Sequence, residues 1–265
     1  MSQIGIFDSG VGGLTVLKAL RERLPSERYL YLGDTARLPY GTKTAATVRR
    51  YALNAAAHLV DHGVKLLVVA CNTASSYALD ALAESSPVPV VGVVLPGVRA
   101  ALATGARRIG VIGTEGTIRS AAYQDALASL GPSVEVRGEP CPLFVPLAEE
   151  GWGDHPVTDQ VARHYLTPLL EWGAEALILG CTHYPLLRPS LERVAGPGIR
   201  LVDSATAVAE AIIADHAELI DTSAGAAGDV RIQLTDASDR FLRIANAILG
   251  RDPEHLEVVD IDSAV

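Results

Sequence analysis

Cys71 and Cys181 are the residues whose type and setting point most directly to chemistry. Each ends an apolar run, and each is followed by a short polar segment, Asn72-Thr73 in one case and Thr182-His183 in the other. A thiolate in such a place can take a proton from carbon, and a thiol can return one. Two of them on opposite faces of a tetrahedral carbon would invert it, because one removes the α-proton and the other protonates the far side. Free thiols titrate near ~8.5, and lower at helix N-termini or beside cations. Both cysteines precede an expected helix start, so a lowered thiol is the expectation for each. A single cysteine closing an apolar strand is ordinarily a small buried hydrophobe; the argument for chemistry rests on finding two in one setting. Cys141, in Pro140-Cys141-Pro142, lacks that setting and reads as structural. Cys181-x-His183 is at most half a metal site, with no further ligands at fixed spacing.

The setting itself is repeated. Asp61-His62-Gly63-Val64-Lys65-Leu66-Leu67-Val68-Val69-Ala70-Cys71 aligns without a gap on Glu171-Trp172-Gly173-Ala174-Glu175-Ala176-Leu177-Ile178-Leu179-Gly180-Cys181, 110 residues on. Ile4-Gly5-Ile6-Phe7-Asp8-Ser9 aligns in the same order with Ile109-Gly110-Val111-Ile112-Gly113-Thr114, 105 residues on. Duplication is the better reading of two such pairs. Ligands of open α/β sheets bind at the carboxyl ends of strands, where helix N-termini point. Two lobes related by a pseudo-twofold axis would put the two thiols across one cleft.

The elements needed to hold them are legible as strand–helix alternation. Ile4–Phe7, Tyr29–Leu32, Lys65–Ala70 and Val88–Val94 read as strands, separated by helices near Leu14–Leu24, Thr44–His62 and Thr73–Ala83. After Pro96 the alternation restarts with a helix. Strands follow at Ile109–Ile112, Val134–Arg137, Ala176–Leu179 and Arg200–Val202, with helices near Thr117–Leu130, Thr158–Trp172, from about Leu186, and at Ala205–His216. The tail reads as a turn at Gly225–Val230, a strand Val230–Leu234, a helix Phe241–Leu249 and a last strand near Leu256–Val259. Such alternation predicts an α/β fold: two lobes, each a parallel sheet flanked by helices, with the active site in the cleft between them.

Other polar segments fall near the same strand ends. Asp8-Ser9-Gly10-Val11-Gly12-Gly13-Leu14-Thr15 follows a strand and opens a helix, but it lacks the third glycine of a dinucleotide loop, and Asp8 would repel phosphate. Asp8 suits the ammonium of an amino acid or a proton relay to a thiol; otherwise the segment is a glycine turn into a helix. Asp34-Thr35-Ala36-Arg37-Leu38-Pro39-Tyr40-Gly41 reads as a loop, either a plain surface turn or one edge of the cleft. Glu149 and Glu150 read equally as solvated loop charges or as site residues.

Composition narrows the function. A net charge of −9 over 265 residues argues against nucleic acid as the partner. The longest apolar runs, Leu66–Cys71 and Val88–Leu95, are too short to span a bilayer. Met1-Ser2-Gln3 leads straight into an apolar strand, so no secretory leader is expected. Three widely spaced cysteines do not form a disulfide framework and fit a reducing cytoplasm.

Taken together, Gly5 through Thr15, Gly33-Asp34-Thr35-Ala36-Arg37 with Pro39-Tyr40-Gly41, Ala70-Cys71-Asn72-Thr73-Ala74, Pro142 to Glu149, and Gly180-Cys181-Thr182-His183-Tyr184-Pro185-Leu186 resemble the glutamate racemase family of the aspartate/glutamate racemase superfamily. The resemblance spans about residues 3 to 205. It implies interconversion of L- and D-glutamate without pyridoxal phosphate or metal, supplying D-glutamate for peptidoglycan. It implies that Cys71 takes the proton from D-glutamate and Cys181 from L-glutamate, assisted by Asp8, His183 and Glu149. Substrate contacts would come from Asp8, Ser9, Tyr40, Gly41, Asn72, Thr73, Thr182 and His183. The first lobe would comprise residues 1–95 with 206–265 returning to it, and the second residues 96–205. A homodimer is expected, and no activation by a cell-wall precursor. Residues after about 220 match no pattern, and their role stays open. Racemisation of aspartate, a hydrolase or decarboxylase using one thiol, and a two-lobed amino-acid-binding protein are the competing readings.

Overall fold

The computed structural model describes residues 3–221, 227–253 and 255–261. Its strands are β1 Gln3–Asp8, β2 Tyr29–Gly33, β3 Val64–Val69, β4 Val90–Gly92, β5 Arg108–Gly113, β6 Glu135–Pro140, β7 Ala176–Gly180, β8 Arg200–Asp203, β9 Val230–Leu234 and β10 Leu256–Val258. They form two sheets, ordered β10-β9-β2-β1-β3-β4 and β6-β5-β7-β8. The strand pairs are parallel throughout. Each strand therefore needs a crossover, and the helices supplying these lie on both faces of each sheet.

The duplication is visible in the register. The order β2-β1-β3-β4 in the first sheet matches β6-β5-β7-β8 in the second. Ile4 lies opposite Leu66 and Gly5 opposite Leu67, as Ile109 lies opposite Ala176 and Gly110 opposite Leu177. These are the residues that the sequence alignment pairs. What the first sheet has in addition is β9 and β10, laid along β2 from the far end of the chain.

Burial on both sheet faces explains why the strands read as nearly unbroken apolar runs. On the first sheet, Ile4, Ile6, Leu66 and Val68 face the helices Leu14–Arg23, Ser204–Asp215 and Asp239–Leu249. Phe7, Leu30, Leu67 and Val69 face the helices Ala45–Asp61 and Asn72–Ser85. The second sheet is split the same way, with Ile112, Leu177 and Leu179 on one side and Ile109, Val111 and Ile178 on the other. Among the described residues no helix is long and apolar enough to cross a membrane.

Four local expectations are corrected. The strand expected over Val88–Val94 is confined to β4, because a helix starts at Val94 and runs to Ala103. The single helix expected over Thr117–Leu130 is two, Glu115–Arg119 and Ala122–Leu130, broken where Ala121 adopts φ 59°. Ser120 supplies the stop: its hydroxyl accepts from the Ala122 N–H at 3.2 Å. The segment before Gly151 is a helix, Phe144–Glu149, rather than a loop. After Cys181 the chain makes a 3-10 turn, Tyr184–Leu187, and the regular helix begins only at Arg188. Pro185 and Pro189 each sit in a first turn, where a missing N–H costs nothing. Of the expected turn Gly225–Val230, residues 225 and 226 lie outside the described residues.

Candidate active site

Cys71 follows β3 by one residue and caps the helix Asn72–Ser85, its sulfur accepting from the Ala74 N–H at 3.5 Å. Cys181 directly follows β7, with its sulfur 3.9 Å from Nδ1 of His183. Both thiols line one cleft, together with Ser9, Tyr40, Gly41, Asn72, Thr73, Glu149, Thr182 and His183. Cys71 comes from the first sheet and Cys181 from the second, so the cleft has a sulfur on each wall.

Two glycines let the lobes approach closely. A Cβ on Gly12 would fall 2.4 Å from Oγ1 of Thr182 and 2.5 Å from Nδ1 of His183. The glycine-rich loop is therefore the seat of the Cys181 arm. A Cβ on Gly41 would lie 2.5 Å from Cβ of Thr114, which belongs to the opposite lobe. Substitution at either position forces the walls apart.

Asp8, expected to touch substrate, lies behind the cleft wall and does not line it. One oxygen accepts from the Gly10 N–H at 2.9 Å, and the other accepts from the Thr182 hydroxyl at 3.4 Å. Burial raises its pKa despite the nearby His183 and the N–H donors. Tyr40 is buried, and its hydroxyl donates to Asp34. Asp34 also accepts from Nε of Arg37 at 2.9 Å and from the Thr235 hydroxyl at 3.0 Å. The loop read as a possible surface turn is thus pinned from beneath by a buried carboxylate. Asn72 accepts from the Tyr123 hydroxyl at 2.6 Å, while its buried Nδ2 has no protein partner among the described residues. A buried donor left open on a cleft wall is set to meet an acceptor on a ligand. Thr73 lies 2.9 Å from the hydroxyl of Thr114 and 3.2 Å from that of Thr117.

The electrostatics of the two thiols differ. Burial pushes the Cys71 thiol up to about 12, and the charge of Asp8 adds to this, outweighing the help of Ser9 and the Ala74 N–H. The lowering expected from the helix N-terminus is present but loses to desolvation. At Cys181 the neighbour is His183. Burial works against its charged form, yet contacts with Cys181 and Glu149 outweigh that and lift it to about 10. Glu149 ends the helix Phe144–Glu149, with Oε1 3.3 Å from Nε2 of His183 and Oε2 3.3 Å from Nη2 of Arg240. Burial opposes its charge, but His183 and Arg240 hold its pKa below the usual carboxylate range.

The profile of the Asp/Glu/Hydantoin racemase family matches residues 14–212. The chain belongs to that family. Both thiols, His183 and Glu149 fall inside the matched stretch, whereas Asp8, Ser9 and Arg240 fall outside it. Longer similarity covers those as well. A glutamate racemase from Geobacter metallireducens is 52% identical over 250 residues, covering 93% of this chain and 92% of the relative. The crystal structure of a Francisella tularensis glutamate racemase in complex with D-glutamate superimposes with a TM-score of 0.91 at 37% identity, over 99% and 98% of the two chains. That of a Thermus thermophilus glutamate racemase in complex with β-chloro-D-alanine does so with a TM-score of 0.86 at 46% identity, over 100% and 98%.

Sequence reasoning missed Thr114, Val145 and Leu38 on the cleft wall, and Arg240 behind it. Thr114 had a usable signal, since the repeat aligns it with Ser9. Val145 and Leu38 are apolar residues in segments that carry no periodic pattern. Arg240 is an ordinary arginine in a segment without a recognisable motif.

Proposed function

We propose that this chain interconverts L- and D-glutamate by direct proton transfer at the α-carbon between two thiols. The observation that carries the reading is one cleft with Cys71 on one wall and Cys181 on the other. A base that removed the α-proton and returned it from the same side would regenerate the starting enantiomer. Two sulfurs on facing walls allow inversion with no movement of the substrate.

The two sulfurs have unlike surroundings. His183 stands 3.9 Å from Cys181 and can face the charge that sulfur carries when it acts as base, while burial and Asp8 keep Cys71 as a thiol. Cys181 then takes the α-proton from L-glutamate, and Cys71 delivers its own proton to the opposite face. Cys71 is left as thiolate and Cys181 as thiol, the charge state from which D-glutamate reacts in reverse. Asn72 Nδ2 is a donor suited to a substrate carboxylate. Glutamate is favoured over aspartate by the relatives, which are named glutamate racemases at up to 52% identity over nearly the whole chain. This activity would supply D-glutamate for peptidoglycan in the cytoplasm, with the protein acting as a homodimer.

The test is the circular dichroism of L-glutamate incubated with purified protein and no added cofactor. Decay of the signal to zero is the expected result. A flat signal would overturn the proposal, and decay of L-aspartate alone would redirect it to the shorter substrate.

A further inference from the structure

The Cys181 arm does not end at Glu149. Arg240 lies on the helix Asp239–Leu249, at the far end of the sequence, and its Nη2 is 3.3 Å from Oε2 of Glu149 and 2.9 Å from Oε1 of Glu150. Glu149 is thereby held between two cationic groups, one at each carboxylate oxygen, with His183 on the cleft side. The groups facing the Glu149 carboxylate are His183, Arg240 and, through the arginine, Glu150; Asp236 lines the adjoining cavity. His183 in turn reaches Cys181, so a line of alternating charge runs from the C-terminal helix to the thiol.

We propose that Arg240 is a positioning residue for the Cys181 half-reaction, holding the Glu149 carboxylate turned toward His183. The role rests on the two-thiol reading above. Among the described residues nothing corresponding stands behind Cys71, whose neighbours are Ser9, the Ala74 N–H and Asp8. The effect of losing Arg240 must therefore be one-sided. A one-sided effect is hidden in kcat/KM, because enantiomers have equal free energy and the two directions must slow by the same factor. It shows in the isotope effects. With Cys181 steps slowed, α-deuterated L-glutamate, whose labelled bond breaks at Cys181, should give a larger effect on kcat/KM. The effect with α-deuterated D-glutamate should shrink, since its labelled bond breaks at Cys71.

The experiment compares Arg240→Met, which keeps the stem and loses the charge, with Arg240→Lys. The methionine variant is expected to lose roughly three- to tenfold in kcat/KM, as befits a partly exposed ion pair. Its isotope effects should diverge as described, and the acid limb of its pH profile should move up as Glu149 becomes easier to protonate. Arg240→Lys should recover most of the loss. Unchanged kinetics in Arg240→Met, equal behaviour of the two variants, or a lower melting temperature with unmoved isotope effects would each overturn the role. Cys181→Ala is measured alongside. If it keeps turnover, the two-thiol reading has failed; if it is inactive while Arg240→Met is unaffected, Arg240 alone has been misassigned.

Discussion

The two arms of the cleft are built from equivalent strands in equivalent register, yet their surroundings are unlike. Cys71 sits among a hydroxyl, a backbone N–H and a buried aspartate, all close in sequence to its own lobe's first strands. Cys181 sits against an imidazole backed by a carboxylate and then a guanidinium, drawn from three separate segments. A near-symmetric scaffold thus carries two thiols in asymmetric surroundings. The difference teaches that the repeated strands place the two sulfurs equivalently, whereas the groups around them come from residues that the repeat does not match. The proposed two-thiol reaction needs its two groups in opposite protonation states, and unlike surroundings suit that need.

The strongest way to break the comparison is to remove a sulfur. Cys71→Ala and Cys181→Ala should each abolish racemisation, by at least ~10³-fold, with melting temperature little changed. Substantial turnover in either would mean that the arms are not partners. The next largest effect is expected from His183→Asn, roughly 10²-fold in kcat/KM, scored by circular dichroism against the parent protein. Its pH dependence sharpens the point. His183 carries its proton below about 10, so activity that depends on the imidazolium should fall as pH rises through that value. The histidine variant should lack this basic limb. The same proton bears on stability: a folded value above the ordinary 6.5 means a contribution whole below that pH and lost as pH rises through about 10. Melting temperatures across that window should converge for parent and variant at the alkaline end.

Smaller effects are expected where the arms meet. Gly41→Ala drives a methyl group into Thr114 and should raise KM several-fold by wedging the walls apart. An unaltered KM would show that the loop yields without moving the cleft. Asp34→Asn should do less, loosening Tyr40 and Arg37 while leaving both thiols in place; its check is a KM raised about twofold with kcat kept. Pyridoxal phosphate or a chelator should change nothing, and a rate that falls with chelator would reopen a metal role.

How much of this was legible depended on whether the signal was local. The strands could be read because each lobe repeats an apolar run ending in the same residue type, and burial on both faces keeps such runs free of polar interruption. The cysteines followed from that repeat. The Phe144–Glu149 helix was missed because six residues containing Pro146 are too few for a helical period to emerge. The break at Ala121 was missed because a left-handed alanine leaves no mark on composition. Asp34 looked like a loop aspartate, since its partners include Thr235, which is remote in the chain. The rise of the Cys71 thiol was missed for a physical reason: helix N-termini are visible in sequence, but desolvation is not.

The added strands β9 and β10 also decide what each sheet can do at its rim. In the first sheet they cover β2, so that its backbone groups are spent. In the second sheet the equivalent strand, β6, stays at the edge, with Glu135 and Arg137 exposed. It carries Glu135, Arg137 and Glu139 at alternate positions and ends in Pro140, which has no N–H to give. An incoming strand would have to bury those charges beside it and would find the ladder cut short at one end. The β6 edge is therefore guarded against strand addition by its own side chains, whereas in the first lobe β2 is covered by backbone and the edge passes outward to β10.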